Sequence, residues 1–279
     1  MAGARFGRNQ VVDGSSDSPL SAAVTQRDRD VIELVADAVK RRDVLLAFQP
    51  VVTSARPEKP AFYEALIRIV DPTGRIIPAR DFFPTVETRE LGRDIDCLTL
   101  GMAFEALTRD PSLRLSVNMS ARSIGYPRFV RTLRQGLRNC PTAGERMILE
   151  ITESSAMMMP ELVTTFMAGL QGEGVSFALD NFGSGNTSFR ALREFYFDMI
   201  KIDGSFIRGI ADSPDNQVLT QAMLAVARQF DMFAVAESVE TQRDAEFLLG
   251  IGMDCMQGYF FGAPTVTPPW KLPDVKRAS

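Results

Sequence analysis

No histidine occurs anywhere in the 279 residues. Its absence removes a His-ligated zinc or iron site, and with it any Ser-His or Cys-His catalytic pair. Cysteine is scarce: Cys97, Cys140 and Cys255 stand far apart, giving neither a disulfide framework nor a zinc motif. No uninterrupted apolar run approaches the roughly 18–20 residues that cross a bilayer, so no membrane span is expected. The N-terminus lacks the charged-then-apolar layout of a signal peptide, and the cytoplasm is the expected location. Positive charge is not in excess either. Lys and Arg number 31 against 35 Asp and Glu, a net charge of −4 that argues against a binder of polymeric nucleic acid. A small anionic ligand stays compatible, since a few placed cations suffice. Any acids, bases and ligands must then be Asp, Glu, Asn, Lys or metal-bound water, and oxygen ligands suit magnesium, manganese or calcium.

What is present fits one large α/β domain. Residues 1–20 are rich in Gly, Ser and Asp and read as a flexible lead. From 21 to 42 a helix is expected: Val31, Ile32, Val35 and Val39 share one face, and Lys40, Arg41 and Arg42 suit its last turn. It caps the domain that follows over 43–268, with 269–279 a flexible tail. Within 43–268 short apolar runs recur at 45–52, 61–69, 113–120, 147–153, 175–181, 198–203, 232–238 and 254–261. Helical patterns such as 91–107, 160–171 and 216–230 separate most of them. Eight strands alternating with helices predict a parallel barrel, although the alternation alone also fits an open doubly wound sheet. The first connection, 53–60, is too short for the crossover that parallel neighbours need. The expectation is therefore a modified TIM-type (β/α)8 barrel with the first strand antiparallel to the second.

Strands buried on both faces should be almost wholly apolar. These instead carry single polar residues: Glu64, Asn118, Glu150, Asp180, Lys201, Glu237 and Gln257. From the third strand onward each lies near the C-terminal end, the end where barrel active sites form. Any one alone reads as a paired core group or rim residue; six in successive strands do not. Four carboxylates brought together repel one another, and one lysine cannot neutralise them. One or two divalent cations can, with Asn118 as a neutral oxygen ligand. Such sites most often serve phosphoryl transfer or phosphoester hydrolysis, and an enolase-like chemistry stays open at this point.

At these same positions the chain resembles the EAL domain. The motifs are Glu64-Ala65-Leu66 with Arg68 two residues on, Ser116-Val117-Asn118, Glu150-Ile151-Thr152-Glu153-Ser154, Ala178-Leu179-Asp180, Lys201-Ile202-Asp203, Ala236-Glu237-Ser238-Val239-Glu240 and Gln257-Gly258-Tyr259. Seven motifs in order, from about 45 to 264, make the resemblance specific. It implies hydrolysis of cyclic di-GMP to linear pGpG with magnesium or manganese. By position, Glu64, Asn118, Glu150 and Asp180 would hold a first metal. Asp180 would bridge to a second, with Glu237 as a ligand directly or through water. Lys201 would position and help activate the attacking water, and Glu64 and Glu237 share the catalytic set. Arg68 would contact a substrate phosphate. Gln49, Leu66 and Gln257 would line the substrate cleft. Glu153 would anchor the loop after Asp180, and Asp203 would support the same region. A homodimer is implied by resemblance alone.

The chain departs from the family around the second metal. Asn181 stands where a second aspartate is usual, Asn186 where an aromatic is usual, and Ser238 where a glycine is usual. A neutral amide is a poorer ligand for a hard cation, so one tight site and a second one weakened by Asn181 are expected. Two readings follow: an active phosphodiesterase, or a receptor that binds cyclic di-GMP and acts through a protein partner. Glu64, Lys201 and Glu237 favour the first. A scaffold that binds no nucleotide fits least, because Arg68, Asn118 and Gln257 persist.

Overall fold

The computed structural model describes residues 19–185, 192–268 and 270. Of the lead expected over 1–20, residues 1–18 lie outside the described residues, as do Asn186 and, from the tail expected over 269–279, residues 269 and 271–279. Pro19 and Leu20 already belong to the first helix, and Trp270 packs against Phe48 and Tyr63 instead of forming part of a free tail. Helix α1 (Pro19–Arg41) buries Val35 and Ala38 against the domain, and Lys40 and Arg41 fall in its last turn.

Strands β1 (Val44–Thr53) and β2 (Arg56–Val70) form an antiparallel hairpin, as the short connection requires. The connection is tighter than expected, because β2 begins at Arg56 rather than near residue 61. Residues 56–59 are exposed, so burial leaves no periodic signal there although the ladder continues. A three-residue strand, β3 (Ile76–Pro78), pairs antiparallel with the end of β2. It is too short for hydrophobic patterning to reveal.

The remaining strands are β4 (Leu115–Asn118), β5 (Met147–Thr152), β6 (Ser176–Phe182), β7 (Met199–Ile202), β8 (Phe233–Ala236) and β9 (Cys255–Gln257). From β4 to β9 each lies parallel to the next, and β2 joins parallel to β4. The barrel closes through β1, which pairs antiparallel with both β2 and β9. All eight expected strands are therefore barrel staves, with the first one reversed. An open sheet is excluded by that closure.

Helices cover the outside: α2 (Phe83–Val86), α3 (Glu90–Arg109), α4 (Pro127–Asn139), α5 (Glu153–Met158), α6 (Pro160–Gln171), α7 (Gly204–Ile207), α8 (Pro214–Gln229) and α9 (Gln242–Gly250). Their starts are set locally. Thr152 accepts from Ser155 N at the head of α5, Asp203 from Ser205 N at α7 and Thr241 from Asp244 N at α9. Leu115, Leu149, Leu179, Ile200 and Ala234, one from each of five adjacent strands, are fully buried. Each large aliphatic among them contributes about 1.5–3 kcal/mol through burial. Among the described residues no helix is long and apolar enough to cross a membrane.

At the N-terminal end of the barrel the buried Arg146 ties the segments that lead into β4 and β5 together. Its Nη1 donates to the carbonyls of Leu107, Asp110 and Leu113 at 3.0–3.1 Å, and Nε and Nη2 donate to Thr142. The C-terminal end is organised quite differently.

Candidate active site

Lys201 lies inside β7, fully buried, and its ammonium is the centre of the C-terminal end. Nζ stands 2.8 Å from Glu150 Oε2, 2.8 Å from Glu237 Oε1, 3.1 Å from Glu64 Oε2 and 3.6 Å from Asp180 Oδ1. Amides bind the set from the rim. Asn118 Nδ2 donates to Glu64 Oε1 at 2.7 Å and Gln257 Nε2 to Glu64 Oε2 at 2.6 Å. Gln257 Nε2 also reaches Gln49 Oε1 at 3.2 Å, and Gln49 Nε2 donates to the Gly262 carbonyl. The topology explains the meeting. Gln49 lies opposite Glu64 across the β1–β2 hairpin, and Asn118 opposite Glu150 across β4–β5.

Asp180 needs a further device. Between β6 and β7 the register jumps: Leu179 pairs with Ile200 but Phe182 with Ile202. Asp180 and Asn181 together therefore face the single residue Lys201, a bulge of the kind that re-aims a side chain beside a site. Asn181 takes φ +56, a left-handed conformation that Asn tolerates better than most residues. Its Nδ2 donates back to Asp180 Oδ2 at 3.2 Å. The loop after the bulge rests on the buried Glu153, whose Oε2 accepts from Gly183 N at 2.8 Å. A Cβ on Gly185 would come within 2.8 Å of Glu153 Oε1, so the loop approaches that carboxylate with backbone alone. Asp203 caps α7 through its side chain, and its backbone N–H donates to the Phe182 carbonyl at 3.2 Å, just past Asn181.

Four carboxylates around one ammonium leave an excess of negative charge in a dry place, and the acidities record it. Burial, with Glu64 adding to it, pushes Glu150 well above the usual carboxylate range. Burial also raises Asp180, and takes Glu237 up to about 8 against the pull of Lys201. Glu64 is the exception. Burial raises it, but Lys201, Gln257 and Asn118 together outweigh that and hold it below its ordinary value. Lys201 is penalised by burial, yet the carboxylates outweigh this and raise it well above the usual lysine value. Among the described residues no three acidic or cysteine side chains are grouped as a preformed metal cage; the carboxylates are turned on Lys201. Glu150 Oε1 and Asp180 Oδ1 nevertheless remain buried oxygens without a hydrogen-bond partner.

A cleft of about 320 Å³ opens over this cluster, lined by Gln49, Glu64, Leu66, Glu237 and Gln257. Arg68 is half-buried beside it, donating to the Ile67 carbonyl. Sequence reasoning missed two cationic walls of the cleft, Arg80 and Arg208, and did not place Tyr259 or Glu240 there. Arg80 Nη1 donates to Tyr259 Oη at 3.4 Å, while Arg208 donates to Ser238 Oγ at 3.2 Å and pairs with Glu240. Both arginines are exposed, Arg80 in a single 3-10 turn after β3 and Arg208 at the C-cap of α7, where composition gives no signal. A larger groove of about 520 Å³ between α3 and α4 gathers no convergent titratable groups.

The family model of the EAL domain matches residues 33–264. Cyclic di-GMP phosphodiesterase PdeB of Shewanella oneidensis is 31% identical over 234 residues, which is 82% of this chain and 27% of that protein. Cyclic di-GMP phosphodiesterase PdeF of Escherichia coli is likewise 31% identical, over 81% of this chain and 30% of its own length. The chain thus spans about a third or less of these relatives. Among solved structures, the PaMucR phosphodiesterase in complex with c-di-GMP superimposes with a TM-score of 0.78 at 29% identity, covering 88% of this chain and all of that one. The FimX EAL domain from Pseudomonas aeruginosa bound to c-di-GMP shares the fold, with a TM-score of 0.77 at 24% identity over 85% of this chain and 97% of its own.

Proposed function

The chain belongs to the EAL domain family, and from that premise we propose that it hydrolyses cyclic di-GMP to linear pGpG with magnesium or manganese. The observation that carries the proposal is the meeting of four acidic side chains on buried Lys201 at the floor of a cleft with arginine walls. The catalytic unit is the barrel over 43–268, with the helix before it as a cap.

The donor set fits a hard divalent cation. It offers oxygen ligands only, and two of those oxygens are buried without a hydrogen-bond partner. Glu64, Asn118, Glu150 and Asp180 would hold a first cation. Asp180, Asn181 and Glu237 would hold a second, less tightly, because Asn181 brings an amide in place of a charged carboxylate. When bound, such cations neutralise the carboxylates and draw charge from the phosphodiester.

The chain's own groups do the rest. Lys201, held protonated by its neighbours, donates to the attacking water and orients it. Glu237, whose carboxylate lies 2.8 Å from that ammonium, takes the water proton as the oxygen bonds to phosphorus. The bond to the ribose 3′ oxygen breaks, and Glu237 returns the proton to that oxygen. Arg68 meets a phosphate oxygen, while Gln49, Leu66 and Gln257 hold the nucleotide along the cleft. Glu153 keeps the loop after Asp180 in place.

Asn181 favours a second reading, a receptor that binds cyclic di-GMP without cleaving it and passes the signal to a protein partner. Chromatography of the protein with cyclic di-GMP and either metal separates the two. Formation of pGpG that vanishes in Glu64→Ala supports the enzyme, and Asn181→Asp is then expected to turn over faster at limiting metal. Saturable binding without product supports the receptor. Absence of both binding and product removes both readings.

A further inference from the structure

Beyond the residues that line the site, one buried acid lies on a helix that contributes nothing to it directly. Asp96 is in the interior of α3, only 3% exposed, on the face shared with Ile95, Thr99, Leu100 and Ala103. Its Oδ2 accepts from Ser120 N at 3.0 Å and from Ser123 Oγ at 2.6 Å. Both partners belong to the segment that leaves β4 immediately after Asn118.

That segment is held in an unusual way. Three successive backbone N–H groups are each tied to a different element. Met119 N donates to the Glu150 carbonyl at 2.9 Å, Ser120 N to Asp96, and Ala121 N to Ser155 Oγ at 2.9 Å. Ser155 lies in α5, the helix that begins with Glu153, and Glu150 lies in β5. The residue that brings the Asn118 amide against Glu64 is thus followed at once by a three-point clasp. Two of its points come from elements that already carry site residues, and the third is Asp96.

We propose that Asp96 is a positioning residue: by fixing the backbone from Ser120 to Ser123 it sets the Asn118 side chain against Glu64 and so presets the cation-binding geometry. The proposal rests on the cation-dependent reading given above. Asp96 touches neither Glu64 nor Lys201, so its effect travels through the backbone. A single oxygen accepts both bonds, and an asparagine there can supply the same oxygen. An isosteric leucine cannot, and it strands a buried N–H and a buried hydroxyl.

The test compares the full chain with Asp96→Leu, Asp96→Asn and Ser123→Ala, the last removing one bond and keeping the core intact should the leucine variant fail to fold. Manganese affinity is measured by calorimetry, and amide hydrogen exchange is followed over 118–124. Loss of outer-sphere support typically weakens metal binding by about 10–100-fold. The expected pattern is a loss of that order in Asp96→Leu, a smaller loss in Ser123→Ala and near-native affinity in Asp96→Asn. Faster exchange should be confined to 118–124. Folded Asp96→Leu or Ser123→Ala with native manganese affinity overturns the proposal, as does weakened affinity in Asp96→Asn equal to that in Asp96→Leu. Absence of manganese binding by the unaltered protein overturns the cation reading itself, and is seen before any substitution is made.

Discussion

Two buried cations hold the two ends of this barrel, and they are held in opposite ways. Arg146 at the N-terminal end donates to neutral oxygens, the backbone carbonyls of Leu107, Asp110, Leu113 and Thr142 and the Thr142 hydroxyl. Lys201 at the C-terminal end is surrounded by four ionisable groups, two with buried oxygens that lack a hydrogen-bond partner. The first arrangement is satisfied and has nothing left to do. The second is frustrated, holding more carboxylates than one ammonium can neutralise, and that excess is what the proposed cation would offset.

Exchanging each cation for methionine breaks the comparison most directly. Lys201→Met should lower turnover by at least about 10²-fold, the lower range for a positioned proton-handling group. Its stability loss should stay below the 3–5 kcal/mol usual for a broken buried pair, because burial and mutual repulsion already raise Glu150, Asp180 and Glu237 and so ease their protonation once the ammonium is gone. Arg146→Met should do the reverse. The carbonyls of Leu107, Leu113 and Thr142 lose this donor, at about 1–3 kcal/mol for each one left buried, so the melting temperature falls by several degrees or more while kcat holds. Paired thermal melts and turnover assays decide it, and equal loss of activity in both variants would erase the distinction.

Sequence reading found one of these ends and not the other. The Lys201 end was legible because each of its polar residues interrupts an apolar strand, and the strand period fixes where such an interruption points. Glu64, Asn118, Glu150, Asp180, Lys201, Glu237 and Gln257 are brought together in the structure. The reversed first strand was legible from one short connection. Arg146 was invisible because it ends a single 3-10 turn just before a strand, and its partners are mainly backbone carbonyls, which have no sequence signature. Arg80 and Arg208 escaped for a related reason: they reach the cleft from turns. The bulge at Asp180 and Asn181 was also beyond patterning, since one extra residue leaves the alternation locally undefined.

Acidity sharpens the comparison without any assay of catalysis. Glu237, Asp180 and Glu150 are raised in the folded chain, as is Asp96, whose burial takes it up to about 7. Groups of this kind bind more protons folded than unfolded, so their contribution is full below the unfolded value and is lost as pH rises through the folded one. Glu64 has the opposite sign, and its contribution is lost as pH falls. With chelator present, the melting temperature should therefore decline between about pH 5 and pH 8. On the cation-dependent reading proposed above, manganese should reverse much of the decline by binding the ionised carboxylates. Asp96→Asn should flatten the part below about pH 7, and Arg146→Met should leave the slope unchanged. A chelated protein whose stability rises across that interval would contradict the sign.

The smallest expected effect concerns the rim. Ser238 follows Glu237 with φ +59, a left-handed conformation that costs a residue with a Cβ about 1–2 kcal/mol. Ser238→Gly removes that cost, but glycine loses more freedom on folding, about 0.5–1 kcal/mol, and the bond from Arg208 disappears. The terms nearly cancel, so the melting temperature should move by no more than about 2 °C. Arg208 loses one of its two ties beside the cleft, so KM for the dinucleotide should change while kcat stays. The backbone makes a second demand here: a Cβ on Gly204 would lie 2.7 Å from the Ser238 Cβ, and closer still to its hydroxyl. Gly204→Ala should therefore be costly alone and tolerated beside Ser238→Gly. A double variant as unstable as Gly204→Ala alone would show that the crowding at this rim comes from somewhere other than Ser238.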